Sequence, residues 1–155
     1  MYGLWPSPET RIAAGLVHQG ALTLRPVMRW KTRIVQVTEA EAGAWVGYGR
    51  TVRLPRPATL ALLPIGYYDG YDRGLSGRGT VLVRGIAVPV LGRVAMNMVV
   101  VDVTALPTVA VGDEVTLLGP DHPATTAEAI AEILGTIPYE VTTRLEARIP
   151  RLEAP

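Results

Sequence analysis

The 155-residue sequence predicts a mostly-β domain, a barrel-like array of about eight short strands with one or two short helices. Three observations predict it. Apolar and polar residues alternate with the two-residue period of strands over several short runs, and turn residues separate those runs. Only one segment carries a clear helical period with signals at both ends. Hydrophobic residues make up 48% of the chain and charged residues 19%, which supports one packed core and is too apolar for a disordered chain.

Residues 1–24 show no sustained period, because Pro6, Pro8, Gly15 and Gly20 interrupt it, and they are expected to form a linker or a first strand. The β-domain proper is expected over residues 25–155. After Pro26, Met28, Trp30, Thr32 and Ile34 fall on one face and Arg29, Lys31 and Arg33 on the other, the pattern of a half-exposed strand. Trp45 to Thr51 and Thr59 to Pro64 follow as strands. Thr80 to Val83 and Ile86 to Leu91 flank Arg84-Gly85, a two-residue hairpin turn. Met98 to Val103 is rich in β-branched residues, and Glu114 to Leu118 follows the turn at Gly112-Asp113. The helix is framed by Thr125 and Glu128, read as a capping box, and by Gly135, read as a left-handed stop. Between them Ala127, Ile130, Ala131 and Leu134 form an apolar stripe. Pro138 is placed to start a second short helix over Tyr139 to Arg144.

Several function classes are excluded. A net charge of +1 supplies no field that would attract nucleic acid or an acidic membrane. The absence of cysteine removes disulfides, thiolate metal sites and cysteine nucleophiles. No apolar run reaches the roughly 18 to 20 residues of a membrane span. The start, Met1 to Pro6, lacks the basic then apolar pattern of a signal peptide, so a cytoplasmic protein is expected. There is no phosphate-binding loop, no dinucleotide fingerprint and no carboxylate pair for acid–base work. His18 and His122 stand in loop-like contexts without metal spacing and read as solvated surface histidines. No metal site is expected.

What stands out is tyrosine beside glycine, in Gly47-Tyr48-Gly49 and in Gly66-Tyr67-Tyr68-Asp69-Gly70-Tyr71. Glycine lets a backbone bend or approach a ligand, and tyrosine carries a phenol on a rigid arm. On composition alone the favoured reading is turn glycines with amphipathic tyrosines at strand ends. Gly92-Arg93-Val94-Ala95-Met96-Asn97-Met98 reads as a strand start with methionines as core filler. Gly77-Arg78-Gly79 reads as a surface turn, with an anion cradle as the alternative.

Taken in order, Trp30-Lys31-Thr32-Arg33, Val46-Gly47-Tyr48-Gly49-Arg50-Thr51, Leu63-Pro64-Ile65-Gly66-Tyr67, Gly92-Arg93-Val94-Ala95-Met96-Asn97 and Ile137-Pro138-Tyr139-Glu140-Val141 resemble alanine racemase, with compatible spacing from Met1 to about Arg151. The resemblance covers only that family's carboxy-terminal domain. It implies an isomerase that interconverts L- and D-alanine with pyridoxal 5'-phosphate, and hence a role in supplying D-alanine for peptidoglycan. It implies an amino-terminal (β/α)8 barrel, absent from these residues, whose lysine carries the cofactor, and a homodimer in which this domain completes the partner's site. It implies that Tyr48 is a catalytic acid–base residue, that Tyr67 and the backbone at Met96 lie near the substrate carboxylate, that Tyr139 meets the cofactor phosphate, and that Arg73 and Arg93 line the access channel. In the family, the cation that helps such a phenol act as a base is expected from the barrel.

Three residues depart from the family pattern. Asn97 stands where aspartate is usual, Ala95 where cysteine is common, and Tyr68 where the residue is usually small. The only lysine, Lys31, falls on a solvated strand face, so the chain alone is expected to be inactive. The alternatives are a stand-alone β-domain used for dimerisation or binding, and a piece of a racemase for another amino acid.

Overall fold

A computed structural model describes residues 3–17 and 24–153. The described residues form nine strands: β1 (Trp30–Arg33), β2 (Gln36–Ala40), β3 (Trp45–Val46), β4 (Val52–Arg53), β5 (Ala58–Leu63), β6 (Thr80–Val83), β7 (Ile86–Leu91), β8 (Val99–Asp102) and β9 (Glu114–Leu118). Seven of them make one curled antiparallel sheet in the order β1-β9-β6-β7-β8-β5-β2. β3 and β4 form a separate two-stranded hairpin.

The two ends of the sheet order are consecutive in the chain. β1 pairs with β9, and β2 pairs with β5. The change of partner falls at Ile34 and Val35: the N–H of Ile34 donates to Asp113 and that of Val35 to Leu62. One continuous run, Trp30–Ala40, therefore stitches the edges together and gives the sheet its barrel-like curl. Stitching also deals with the unpaired edges that an open sheet would expose.

The core lies inside this curl. Leu63, Val81, Val83, Val94, Val101, Val103, Val115 and Leu117 are almost completely buried. In β1 the expected alternation holds: Trp30 is buried, Thr32 half-buried, and Lys31 and Arg33 are exposed. The Lys31 amine is paired with Glu114 of β9 at 2.6 Å on the solvated face. The Arg84-Gly85 turn has positive φ at both residues (49° and 83°), the conformation of a tight two-residue hairpin.

α2 (Ala127–Leu134) and α3 (Pro138–Thr143) pack together, and their buried Ile130, Ala131 and Val141 join the main core. Pro138 and Gly135 take the roles expected of them, at the first turn of α3 and at the left-handed end of α2. The cap of α2 differs by one residue. Thr126 accepts from the N–H of Ala129 at 3.1 Å, while Thr125 is fully buried and donates to the carbonyls of Gly119 and His122. Glu128 is therefore one position too early to close a capping box. His122 is half-buried and its Nδ1 accepts from the N–H of Ala124, so it caps a turn rather than standing in solvent. His18 lies outside the described residues.

Two further differences concern the amino-terminal half. Residues 1–24, expected as a linker or first strand, contain a helix, α1 (Pro8–Val17). The proline read as a breaker sits at the first helical position, and Ser7 Oγ accepts from the N–H of Thr10, a cap that the prolines obscured. Ahead of this helix, Leu4 is buried in the main core. The strand expected over Trp45–Thr51 stops at Val46, because Gly47, Gly49 and Arg50 all take positive φ (68°, 78° and 47°) and turn the chain back into β4.

Candidate functional site

The β3–β4 turn places Tyr48 at its tip. The side chain is 47% exposed, a large value for a tyrosine held between two strands. Gly49 takes a φ of 78°, which favours glycine, and its missing Cβ leaves room for the Arg93 guanidinium. Arg93 lies over the Tyr48 ring, 5.6 Å from its centroid.

A second segment brings in Gly66 to Ser76. Gly66 is packed so closely against the backbone of Ala95 and Met96 that any side chain would overlap their carbonyls. The close approach lets the N–H of Tyr67 donate to Ala95 and that of Tyr68 to Met96. Asp69 accepts from the N–H of Gly66 and fixes the short helical turn Tyr67–Asp69. Tyr67 and Met96 are left exposed, at 40% and 55%. Among the described residues the N–H of Met96 has no acceptor, so this loop offers a free backbone donor to solvent or to a ligand. Tyr71 differs from its neighbours: it is 2% exposed, packs on Trp30 with ring centroids 6.1 Å apart, and burial pushes its hydroxyl well above the usual phenol range. It is a core residue.

The next turn, Arg73–Leu75, is capped by Asp72, whose Oδ1 accepts from the N–H of Gly74 at 2.7 Å. This turn projects Arg73, whose Nε donates to the Tyr48 hydroxyl oxygen at 3.3 Å. The hydrogen bond it donates to Tyr48, the charge interaction with that residue, and a smaller one with Tyr67 raise the Arg73 pKa, so the guanidinium is held more firmly in its charged form. A cation thus lies on the Tyr48 oxygen within this chain.

Charge at this rim is one-sided. Neither Arg73 nor Arg93 has a carboxylate partner among the described residues. The nearby acids are engaged elsewhere: Asp72 is paired with Arg144 at 2.6 Å, and Asp69 faces Arg148 at 4.0 Å. Arg148 also stacks on Tyr68, 4.6 Å from the ring centroid, so the residue that departs from the family pattern is held to one side by the carboxy-terminal segment. Asn97 is exposed and adds no negative charge. The result is a phenol, two guanidinium groups and a free N–H, an arrangement suited to an anionic group beside a proton-transfer centre.

Tyr139 lies apart. It is half-buried on α3, and its hydroxyl donates to the carbonyl of Leu4 at 3.3 Å; among the described residues it makes no hydrogen bond to the Tyr48 cluster. Gly77-Arg78-Gly79 is a turn in which Arg78 donates to the carbonyl of Gly74. The described residues contain no group of histidines and carboxylates able to hold a metal and no helix long and apolar enough to cross a membrane.

Residues 27–153 match the family described as alanine racemase, C-terminal domain. An alanine racemase of Leptospira interrogans is 42% identical over 153 residues, covering 98% of this chain and 39% of that protein. Among solved structures, the alanine racemase of the D-cycloserine producer Streptomyces lavendulae superposes with a TM-score of 0.84 at 39% identity, covering 97% of this chain and 38% of that one. The alanine racemase of Bartonella henselae, solved with covalently bound pyridoxal phosphate, gives a TM-score of 0.79 at 36% identity, over 87% of this chain and 37% of that one. The chain thus spans about two fifths of the length of the curated relatives it matches.

Proposed function

The chain belongs to the alanine racemase carboxy-terminal domain family, and from that premise we propose that Tyr48 is an acid–base residue of a pyridoxal-phosphate-dependent alanine racemase. The observation that carries the proposal is the hydrogen bond from Arg73 to an exposed phenol at a hairpin tip.

Racemisation needs a proton removed from the substrate Cα and a proton returned on the opposite face, hence two opposed acid–base groups. Tyr48 is one of them. Its hydroxyl holds or receives the proton, and Arg73, donating to the same oxygen, stabilises the negative charge left there when the proton departs. Arg93 lies over the ring and helps hold it in place. The free N–H of Met96 and the phenol of Tyr67 orient the substrate carboxylate, with the uncompensated guanidinium groups favouring its approach along the access channel.

Bound pyridoxal phosphate supplies an electron sink for the carbanion. The residues present fit part of its site. Tyr139 offers a hydroxyl for the phosphate, which requires giving up its bond to Leu4. The chain's only lysine does not fit the covalent anchor, because Lys31 is ion-paired on the solvated face of β1. The anchor and the second acid–base group therefore belong to a barrel domain. The exposed phenol fits a subunit arrangement in which this domain completes a site on its dimer partner. A racemase of this kind works on cytoplasmic alanine and feeds D-alanine to peptidoglycan synthesis.

The test is complementation. A barrel domain from a family member, combined with this chain, is expected to racemise alanine. Tyr48→Phe in the same mixture is expected to lose about 100-fold or more in turnover, the range for removal of a general acid–base group. Full activity of Tyr48→Phe overturns the assignment.

A further inference from the structure

Ser76 ends the turn that carries Arg73, and its hydroxyl makes two bonds at once. Oγ donates to the carbonyl of Arg73 at 2.5 Å and accepts from the N–H of Val94 at 3.0 Å. Val94 is fully buried and follows Arg93 directly. One side chain thus links the segment holding the arginine on the Tyr48 oxygen to the segment holding the arginine on the Tyr48 ring. Among the described residues no other hydrogen bond joins the 73–76 turn to residues 92–95.

The two bonds are not equally replaceable. The carbonyl of Arg73 also accepts from the N–H of Ser76 at 3.2 Å, so it stays satisfied if the hydroxyl is removed. The N–H of Val94 has only the hydroxyl among the described residues. Loss of the hydroxyl orphans a backbone donor beside the core, and an orphaned donor is costly enough to move the backbone that carries it. The segment that shifts is the one bearing Arg93.

We propose that Ser76 is a positioning residue for Tyr48: its hydroxyl fixes the separation of Arg73, on the phenol oxygen, from Arg93, over the ring, and thereby the place of the phenol. The catalytic consequence rests on the racemase reading; the geometric consequence stands without it.

The experiment compares the full chain with Ser76→Ala, Ser76→Thr and Tyr48→Phe. The first readout is the Nε–H resonance of Arg73 in nitrogen-labelled protein, assigned by its loss in Arg73→Lys. It is expected to shift in Tyr48→Phe, to shift in Ser76→Ala, and to stay near the wild-type position in Ser76→Thr, which keeps the hydroxyl. The second readout is racemisation after addition of the barrel domain. Ser76→Ala is expected to lower kcat by roughly tenfold to a hundredfold with little change in KM, the scale for a small misplacement of a reacting group, and Ser76→Thr to regain most of it.

An Arg73 resonance unmoved in Ser76→Ala overturns the proposal, as does an unmoved resonance in Tyr48→Phe. Active mixtures in which Ser76→Ala keeps its kcat also overturn it. If the resonances behave as expected but no mixture racemises alanine, the wild-type chain included, the racemase reading fails and the Ser76 geometry survives.

Discussion

The inside of the curled sheet and the rim around Tyr48 obey opposite rules. Inside, valines and leucines from β5 to β9 are almost fully buried, and any one of them is held by many neighbours. At the rim, Tyr48, Tyr67 and Met96 stand exposed, and their positions depend on a few directed contacts: a glycine pressed on two carbonyls, one arginine on a phenol oxygen, one serine between two backbones. A packed interior tolerates the loss of any one contact and registers it as stability. A rim built from single contacts registers the loss as geometry. The difference separates residues that hold the fold from residues that shape the candidate site.

Three substitutions test that separation. Leu117→Ala removes a fully buried side chain from β9 and is expected to cost about 2–5 kcal/mol by urea denaturation, the range for such core truncations. Amide shifts around Tyr48 are expected to change little below the unfolding transition. A selective disturbance of the rim by this core change breaks the comparison.

Gly66→Ala acts the other way. Its Cβ would overlap the carbonyls of Ala95 and Met96, so a destabilisation of about 1–3 kcal/mol, typical of overpacking, is expected. It should be accompanied by large shifts of the Tyr67 and Tyr68 amides, whose bonds cross that contact. Unshifted amides would mean that the close approach does not position Tyr67.

The smallest effect belongs to a pair remote from both regions. Arg29 donates to both oxygens of Asp121 at 2.9 Å, and this hydrogen bonding, more than charge attraction, lowers the Asp121 pKa from its ordinary 3.8. A carboxyl whose folded pKa is depressed adds stability above its unfolded pKa and loses it as pH falls through the folded value. Both side chains are more than 40% exposed, so the contribution is small. Asp121→Asn is expected to lower the melting temperature slightly at neutral pH, and the two curves should converge below pH 3.8. A gap that widens in acid contradicts this origin.

The same division explains what the sequence made legible. β6, β7 and β9 were readable to the residue, because alternation and a tight Arg84-Gly85 turn are local signals. β2 was not, because Gln36-Val37-Thr38-Glu39-Ala40 lies at the end of the sheet order with little buried on either face and carries no apolar period. α1 was hidden because Pro8 reads as a breaker until Ser7 is seen to cap the first turn. At the rim, Tyr48, Tyr67, Arg73, Arg93 and Met96 were reached through family resemblance, since no spacing rule joins residues 25 positions apart in the chain into one hydrogen bond. Ser76 had no signal at all: a serine after Arg73-Gly74-Leu75 is an ordinary turn residue until Val94 is placed beside it.

The most direct test follows Cα hydrogen exchange. Each enantiomer of alanine is incubated in heavy water with the barrel-complemented chain, and exchange is followed separately for the wild type and Tyr48→Phe. With Tyr48 serving one face of the substrate, the variant is expected to lose exchange for one enantiomer and keep it for the other. Equal exchange of both, at the wild-type rate, would contradict a role for this phenol in proton transfer.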